Sequence, residues 1–422
     1  MVLNITSARP DQGLFDLPWS LPLQQWPEDT LAALPRGISR HVVRFVRLAG
    51  RVIAVKEIKA DIAAREYAML RALGRLGLPC VEPFGIVSGR VEPDGTPLDA
   101  ALVTQHLQFS LPYRALYSQT LRPDTAGRLV DALAVLLVRL HLQGFWWGDV
   151  SLSNTLFRRD AGAFSAYLVD AETGELHASL SDGQREHDLD IAKVNIAGEL
   201  MDLHAGGLLE EHTDPVETAV RIVERYYTLW DELTGVERFE TGDRWRIDER
   251  IRRLNALGFD VDELAMSTDL DGLSIQLQPK VVDAGHHSRR LLRLTGLDVE
   301  ENQARRLLND LDSYRAASDR QGEDEEIVAH EWLVNVYEPT VRAVPREMTG
   351  KLEPAEVFHE VLEHRWYLSE RAGTDIPMRE ALADYVGTVL PAKPEERAVL
   401  GVDTIQMPVL ARSEDRSTAS NG

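Results

Sequence analysis

Two side chains in one short loop give the strongest chemical signal in the sequence. A helical repeat of apolar residues through Leu140 ends at Gly144, and the loop after it presents Asp149 and then Asn154 before a strand begins. In a phosphotransferase, such a carboxylate accepts the proton of the attacking hydroxyl, and the asparagine binds magnesium through its side-chain oxygen. An Asx-rich turn is the alternative, but the length and context of the loop favour catalysis. We therefore predict Asp149 as the base and Asn154 as a metal ligand.

A further carboxylate, Asp170, stands at the end of an apolar run, residues 167–169. At a strand end it can bind magnesium beside nucleotide phosphates. Glu172 is a candidate for a second ligand or for a hydrogen bond. Taken alone, this segment is explained better by a strand that ends in an Asp turn. The neighbouring elements lead us to predict Asp170 as a metal ligand.

A lysine and a glutamate in the first part of the chain each provide the opposite charge that the other needs. Lys56 lies in the apolar run of residues 53–58, where an ammonium group is costly unless it meets an anion. Nucleotide phosphate is one suitable anion, and Glu66 on the apolar face of the next predicted helix is another. A buried glutamate needs a cation in turn. The alternative is an edge-strand lysine beside Glu57.

In this order and spacing, residues 37–203 resemble the protein-kinase-like superfamily. The resemblance implies ATP and Mg²⁺ as cofactors. It also implies the roles of five residues, with Lys56 on the α- and β-phosphates and paired with Glu66, Asp149 as catalytic base, and Asn154 and Asp170 on the metal.

The same resemblance implies the surroundings of the nucleotide. A linker after the last strand of the first lobe meets adenine through backbone groups, which points to Gln105 and Leu107. No G-x-G-x-x-G is present to cover the phosphates, and Gly37 is the glycine that precedes the first strand. Asp188 or Asp190 is expected to start the helix that supports the catalytic loop.

The compact loop and the short metal-binding segment narrow the resemblance. They are similar to the lipopolysaccharide-kinase and small-molecule phosphotransferase branch. Trp147-Gly148 stands where eukaryotic protein kinases have His-Arg, Ala171-Glu172 replaces their Phe-Gly, and no Ala-Pro-Glu follows. Residues 171–187 are short for a segment that docks a peptide. We therefore expect an acceptor other than a peptide.

The second half resembles an uncharacterised bacterial domain found attached to such kinase domains, most clearly over residues 278–287. That resemblance implies no chemistry. One group of residues is a candidate anion site at a helix start, although a solvated structural role is favoured: Lys280, His286, His287, Arg289 and Arg290. A metal site at the adjacent histidines would need further ligands, because neighbours on a helix point in different directions. A later helix has metal-like spacing without H-E-x-x-H, and we interpret it as an amphipathic surface: Glu360, Glu363 and His364.

The pattern of elements predicts a fold. Residues 41–48 and 51–58 form a hairpin, and Asp61 caps the helix that follows. In the second half, residues 273–282 form one strand or a pair, and Asp298 opens a helix by a capping box with Glu301. We predict an α+β fold, a two-lobed protein-kinase-like domain followed by a mainly α-helical C-terminal domain. The predicted divisions are an irregular N-terminal arm at 1–36, an N-lobe at 37–108, a C-lobe at 109–235, an α-rich domain of unknown function at 236–391 and a disordered tail at 392–422.

Composition excludes several classes of protein. The formal charge of −22 argues against a general affinity for nucleic acid or anionic membrane, which need a basic surface. Cys80 is the single cysteine, so an internal disulfide is excluded. No apolar run reaches the length of a membrane span, and the first residues do not resemble a signal peptide. These features predict a cytoplasmic protein.

Together the residues predict a Mg-ATP-dependent phosphotransferase that acts on a hydroxyl of an unknown small-molecule or protein substrate. Two alternatives remain open. The first is a non-catalytic, pseudokinase-like ATP sensor or scaffold, which would need no base at Asp149. The second is a nucleotidyl transferase, which would add AMP to its substrate. The sequence predicts neither the acceptor nor the oligomeric state.

Overall fold

The protein is described from a computed structural model. The structure describes residues 3–32, 41–48, 50–117, 123–209, 213–240, 245–268 and 274–397. Gly37 and residues 398–422 of the predicted tail lie outside the described residues. The expectations for that glycine and for most of the tail therefore stay predictions.

The first lobe is a five-stranded antiparallel sheet with one helix packed on it. In chain order its elements are β1 (Asn4–Ser7), β2 (Val42–Leu48), β3 (Arg51–Ile58), α1 (Ala60–Arg75), β4 (Pro83–Ser88) and β5 (Ala100–Gln105). The strand order is β1-β4-β5-β3-β2. Because side chains alternate along a strand, Ile53 and Val55 of β3 lie in a buried cluster while Lys56 faces the cleft between the lobes.

The N-terminal arm covers the outer face of this sheet. Trp19 and Trp26 are 3% and 4% exposed and meet edge to edge with their ring centroids 5.1 Å apart. Arg90, which is buried, donates to the carbonyl oxygens of Trp19 and Leu21 and to the carboxylate of Glu57. The arm thus packs through its tryptophans, as the sequence suggests. Its first described residues, however, form β1, a strand that the sequence pattern does not reveal.

Helix α1 turns Glu66 inward. The helix begins one residue before Asp61, and its N-cap residue is Lys59, whose side chain makes no capping bond. The predicted cap at Asp61 is therefore wrong; that carboxylate lies in the first turn, where it interacts favourably with the helix dipole. Glu66 shares the buried face with apolar neighbours, namely Ala63, Tyr67, Leu70 and Leu73.

The second lobe is mainly helical and carries two small antiparallel sheets. Its elements are β6 (Ser110–Pro112), α2 (Tyr113–Tyr117), α3 (Pro123–Leu142), β7 (Phe145–Trp146), β8 (Thr155–Asp160), β9 (Ala163–Leu168), β10 (Glu175–Leu176), α4 (Asp182–Ala205) and α5 (Pro215–Thr234). β8 lies between β6 and β9, and β7 pairs with β10. Helix α3 is the predicted apolar helix, which packs on α5 and β9, and its leucines are buried: Leu129, Leu133, Leu136, Leu137 and Leu140.

The C-terminal domain begins with a sheet and continues as helices. Its elements are β11 (Glu237–Glu240), α6 (Trp245–Ala256), β12 (Phe259–Thr268), β13 (Ser274–Ala284), α7 (His286–Thr295), α8 (Glu301–Ala317), α9 (Glu325–Trp332), α10 (Glu338–Arg342), α11 (Pro354–Ala372) and α12 (Met378–Thr388). The predicted strand at 273–282 is the single strand β13, which lies between β11 and β12. These two partners were not expected. A π-helical segment, Leu333–Tyr337, joins α9 to α10.

The start of α8 differs from its predicted form. Its N-cap is Glu300, which makes a capping box with Gln303 in place of the predicted pair of Asp298 and Glu301. The carboxylate of Glu301 instead accepts the backbone N–H groups of His287 and Ser288 at the start of α7. An internal anion therefore already occupies that helix terminus.

The end of the C-terminal domain is ordered further than the sequence suggests. Residues 392–397, placed by prediction in the tail, belong to the described structure, and Glu396 is 2% exposed. Across the described residues, no helix combines the length and the apolar character needed to span a bilayer.

Candidate active site

Lys56 lies among three carboxylates at the back of the cleft. Its Nζ is 3.1 Å from Glu66 Oε2, 2.7 Å from Asp170 Oδ2 and 3.4 Å from Glu172 Oε2. Strand β3 supplies the lysine, α1 supplies Glu66, and the segment after β9 supplies the other two. Four residues from three separate segments of the sequence thus meet at one point.

The charge balance of this cluster is negative. Burial alone would lower the pKa of Lys56, but the carboxylates of Glu66 and Asp170 more than offset it and that pKa is raised. Burial, followed by repulsion from Asp170, raises the pKa of Glu66 to about 7 despite the neighbouring ammonium. One ammonium does not compensate three carboxylates, so a further cation would be bound favourably here. The same three carboxylates are the group that the described residues offer to a metal ion.

Asp149 is held by two asparagines. Asn154 Nδ2 donates to the backbone oxygen of Asp149 at 3.0 Å and to its Oδ2 at 3.2 Å. Asn195 Nδ2 lies 3.3 Å from Asp149 Oδ1 and 3.1 Å from the carbonyl oxygen of Val150. Asn195 is absent from the sequence-based site. With its nitrogen facing Asp149, the amide of Asn154 turns its oxygen elsewhere, as a metal ligand requires.

Helix α4 anchors the backbone of the catalytic loop. Asp188, fully buried, accepts the N–H groups of Trp147 and Gly148, both at 2.7 Å. Glu199 accepts those of Leu152 and Ser153 at 2.7 and 3.0 Å. A loop with four backbone donors bound in this way has little freedom to move.

The supporting helix starts earlier than predicted. It begins at Asp182 with Ser181 as N-cap, so neither Asp188 nor Asp190 opens it. Asp190 is exposed and lies 3.8 Å from Lys193. Asp188 nevertheless supports the loop, from within the helix. Helical spacing could have identified Asn195 and Glu199 as further residues that support the loop. Positions 188, 195 and 199 fall on one face of the helix, and the other residues of that face are mostly apolar.

The carboxylate of Asp170 has a fixed orientation. Its Oδ1 accepts the N–H of Glu172 at 2.9 Å, and its carbonyl oxygen accepts Trp147 Nε1 at 2.8 Å. Thr173 Oγ1 donates to the carbonyl of Trp147 at 2.7 Å. The indole of Trp147 therefore ties the metal-binding segment to the catalytic loop, a link that local sequence patterns do not reveal.

Two adjoining cavities meet at the predicted metal ligands. The first, of about 410 Å³, lies between the lobes; Lys56, Gln105 and Leu107 are among its lining residues. The second, of about 530 Å³, is lined by Asp149 and Glu172 among others. Asn154 and Asp170 line both cavities, as do Ser153 and Glu199. This arrangement allows a donor in one cavity and an acceptor in the other to react at their shared boundary.

The linker after β5 presents unpaired polar groups to the first cavity. Gln105 N and His106 N donate to Glu82 O and Val52 O, and Leu107 O accepts Ser110 Oγ. No hydrogen bond from the Leu107 N–H to another described residue is present. Gln105 Oε1 and His106 Nε2 are buried without partners within the same part of the chain. Burial lowers the pKa of His106 to about 4, so its ring is neutral at physiological pH.

The described side chains of the basic cluster of the second half are internally paired, and the side chain of Lys280 lies outside what the structure describes. His286 Nδ1 and Arg289 bind Asp260, His287 Nδ1 lies 2.7 Å from Glu301, and Arg290 binds Glu325. Around Glu360, the carboxylate accepts Tyr385 and Lys393 at 2.7 Å each, and His364 pairs with Asp384. Neither group contributes to a metal cluster among the residues that the structure describes. The structural interpretation of both groups agrees with these contacts.

Comparisons with known proteins agree with both sequence resemblances. Residues 52–197 match the model of the lipopolysaccharide kinase (Kdo/WaaP) family, and residues 228–390 match that of a domain of unknown function, DUF4032. A solved structure described as WaaP in complex with acyl carrier protein is 16% identical, covers 54% of this chain and 89% of its own, and has a TM-score of 0.34. The curated proteins gave no match. The two resemblances are thereby confirmed, and the family match supports a kinase-like phosphotransferase.

Proposed function

We propose that this protein is a Mg-ATP-dependent phosphotransferase that transfers the γ-phosphate to a hydroxyl of a non-peptide acceptor. The observation that carries the proposal is the meeting of two cavities at Asn154 and Asp170, with Lys56 on one side and Asp149 on the other. ATP is a cytoplasmic phosphoryl donor, so the proposal places the protein in the cytoplasm.

The first cavity suits the nucleotide. Apolar side chains such as Val43, Leu102 and Leu156 line it, and the linker offers the Leu107 N–H to the edge of a base. Lys56 stands where it can contact phosphate oxygens while Glu66 holds it. A buried ammonium with a fixed carboxylate partner is the usual phosphate contact of kinase-like sites.

The donor set fits magnesium. Asp170 and Asn154 offer a carboxylate oxygen and an amide oxygen, the hard ligands that Mg²⁺ prefers, and the cluster beside them has one ammonium for three carboxylates. When bound, the ion would neutralise the phosphate oxygens and orient them for displacement. We assign Asn154 and Asp170 as the residues that hold it.

Asp149 then acts as the base. Held by Asn154 and Asn195, its carboxylate accepts the proton of the acceptor hydroxyl as the new O–P bond forms. The bond between the γ-phosphorus and the bridging oxygen breaks, and ADP leaves. A binding module would have no use for a carboxylate fixed in this way, so the geometry favours catalysis over an ATP sensor.

The acceptor side argues against a peptide. Only residues 171–181 separate Asp170 from helix α4, which leaves no docking segment of the protein-kinase kind. The cavity around Asp149 is enclosed by the loop and by α4, with Gly198 opening space within it. A small molecule fits this volume.

Ligand-dependent stability and ADP formation, compared between wild type, Asp170→Ala and Asp149→Asn, test the proposal. Mg-ATP should raise the unfolding temperature of wild type and Asp149→Asn but not of Asp170→Ala, because stabilisation follows occupancy. ADP formation with water as acceptor should be detectable for wild type alone, and release of AMP instead would indicate nucleotidyl transfer. If millimolar Mg-ATP leaves the wild-type transition unchanged, the proposal is wrong.

A further inference from the structure

The β8–β9 hairpin connects the two proposed metal ligands. Asn154 immediately precedes β8, and Asp170 follows the end of β9 after one residue. The two ends are tied directly, because Val169 N donates to Asn154 O at 3.0 Å. Any displacement of the hairpin along its ladder therefore moves both ligands.

The far end of this hairpin is a tight turn in an unfavourable conformation. Ala161 has a φ of 49°, and Gly162 has a φ of 81°. The left-handed region is disfavoured for alanine, so the turn needs support from its surroundings. Arg128 of α3 donates to the Gly162 carbonyl, and the N–H of Ala161 donates to Glu356 Oε2 of α11 at 2.9 Å.

The start of α8 binds the last residue of β8. Asp160 Oδ1 accepts the backbone N–H of Gln303 at 2.7 Å, and its Oδ2 accepts Asn302 Nδ2 at 2.8 Å. The side chain of Gln303 then donates to Arg159 O at 3.1 Å and to Glu356 Oε2 at 3.0 Å. One glutamine thus joins the strand, the turn and α11.

Ion pairs complete the contact. Arg159 makes three hydrogen bonds of 2.7–3.0 Å to Glu396, and Arg158 contacts Glu300 at 2.9 Å and also binds Glu353. We call these contacts the docking network; it comprises Arg158, Arg159, Asp160 and Ala161 of the hairpin with Glu300, Asn302, Gln303, Glu353, Glu356 and Glu396 of the C-terminal domain.

The polar groups of the docking network are buried, so each of them needs a hydrogen-bond partner. Asp160, Gln303 and Glu356 are 1%, 1% and 3% exposed, and Glu396 is 2% exposed. Without the C-terminal domain, a carboxylate, a backbone N–H and two guanidinium groups of the hairpin would lose these partners together. Within the second lobe the hairpin packs on α3 and pairs with β6, and Arg128 binds its turn. The C-terminal domain adds its contacts at the end of β8 and at the turn.

We propose that the DUF4032 domain is a positioning element of the phosphotransfer site, which holds the β8–β9 hairpin so that Asn154 and Asp170 stand at the spacing magnesium needs. The inference rests on the proposed function. Gln303 and Glu356 are its positioning residues: they touch neither cavity and act through the hairpin.

The test uses the full chain and measures metal binding at equilibrium. Free Mn²⁺ is counted by electron paramagnetic resonance with a non-hydrolysable ATP analogue present, for wild type, Gln303→Leu, Glu356→Leu and Glu356→Gln. The leucine variants should weaken Mn²⁺ binding by about tenfold, the lower range for residues that orient metal ligands through others. Glu356→Gln keeps an oxygen for the Ala161 N–H and should stay within about threefold of wild type.

Asp310→Leu is the matched control. Its carboxylate accepts Trp332 Nε1 at 2.8 Å within the same domain, away from the hairpin. It should lower the unfolding temperature without changing the Mn²⁺ constant. A purely structural domain predicts that all variants lose stability and that none changes the constant, and that result would overturn the inference.

Two further outcomes are decisive. If Gln303→Leu does not fold, the comparison of Glu356→Leu with Glu356→Gln carries the test, and equal Mn²⁺ constants for these two overturn the inference. If wild type binds no Mn²⁺ with the nucleotide analogue, the proposed function itself fails and the inference fails with it. Wild-type binding with unchanged variants contradicts the inference alone.

Discussion

The β8–β9 hairpin carries charge at both ends, but the two ends hold it differently. At the cleft end, one lysine is shared by three carboxylates, and the side chains of Asp170 and Glu172 are 27% exposed. At the docking end, Asp160 and Gln303 are each 1% exposed and make several hydrogen bonds at once. The two carboxylates after β9 are thus partly open to solution, whereas Asp160 and Gln303 are sealed from it.

This difference suits the cleft end to ligand binding and the docking end to packing against the C-terminal domain. Partly exposed and incompletely compensated charge can exchange partners when a ligand enters, whereas buried charge with fixed partners cannot be disturbed without a large cost. Both ends carry excess acid: burial raises the pKa of Glu66 to about 7 and also raises that of Glu396. Only at the cleft can a cation from solution supply the missing charge.

The largest effect is expected from Asp149→Asn at the cleft end. Loss of the base should lower the turnover number by about 10²–10⁴-fold, because proton acceptance contributes that much to such reactions. Mg-ATP affinity should change little, since Asp149 lines the second cavity rather than the first. Steady-state kinetics with a separate nucleotide titration measure the two quantities. Equal losses of turnover and of affinity would assign Asp149 to binding.

At the docking end, Arg159→Met should act on stability. It leaves the buried carboxylate of Glu396 without its guanidinium partner, and breaking a buried ion pair costs about 3–5 kcal/mol. Because the side chain of Arg159 is itself 29% exposed, we expect a loss toward the lower end of that range. Urea unfolding measures the change. The double variant Arg159→Met/Glu396→Leu should recover much of the loss, because it removes the uncompensated charge as well. A loss below about 1 kcal/mol would show that this end is solvated like an ordinary surface pair.

The two ends also differ in how far the sequence predicts them. The sequence predicts a common site for Lys56, Glu66, Asp149, Asn154 and Asp170 because their local patterns follow one another in the order and spacing of a kinase-like domain. The docking network has no such pattern: Arg159 and Glu396 are more than two hundred residues apart, and each alone resembles a solvated charge. Asn195 and Glu199 are intermediate between the two ends. Helical spacing predicts which face of the helix they lie on, but it does not predict the groups that they bind. Local periodicity in the sequence cannot predict which charged residues pair in the tertiary structure.

At the docking end, the stability contributed by Asp160 should depend on pH. Burial, then repulsion from Glu300, raises the pKa of Asp160 to about 7. A raised pKa in the folded state means that the stabilisation is fully present below the ordinary value of about 4 and is lost as pH rises through about 7. The stability of wild type relative to Asp160→Asn should therefore fall as pH rises through this interval, by at most about 1.4 kcal/mol per pH unit. Denaturation at several pH values measures it, and a flat difference would contradict the burial argument.

At the cleft end, His106 should show the opposite sign. Because burial lowers its pKa to about 4, its contribution is fully present above about 6.5 and is lost as pH falls toward 4. His106→Gln should be less sensitive to acid than wild type over this range, again by at most about 1.4 kcal/mol per pH unit. The same denaturation series serves, with Asp160→Asn as the control that changes in the other direction. Parallel profiles for the two variants would contradict the burial argument for one of the two residues.

The smallest effect is expected from an ion pair that belongs to neither end. Arg225 Nε lies 2.7 Å from Asp131 Oδ1 between α5 and α3, and the two side chains are 46% and 51% exposed. Water and salt screen such a pair, so Arg225→Ala should change the free energy of unfolding by about 0–1 kcal/mol. Urea unfolding at low and high salt measures this, and wild type and variant should converge as salt rises. A loss as large as that of Arg159→Met would mean that burial does not set the strength of the docking network, and the contrast between buried and exposed charge would have to be given up.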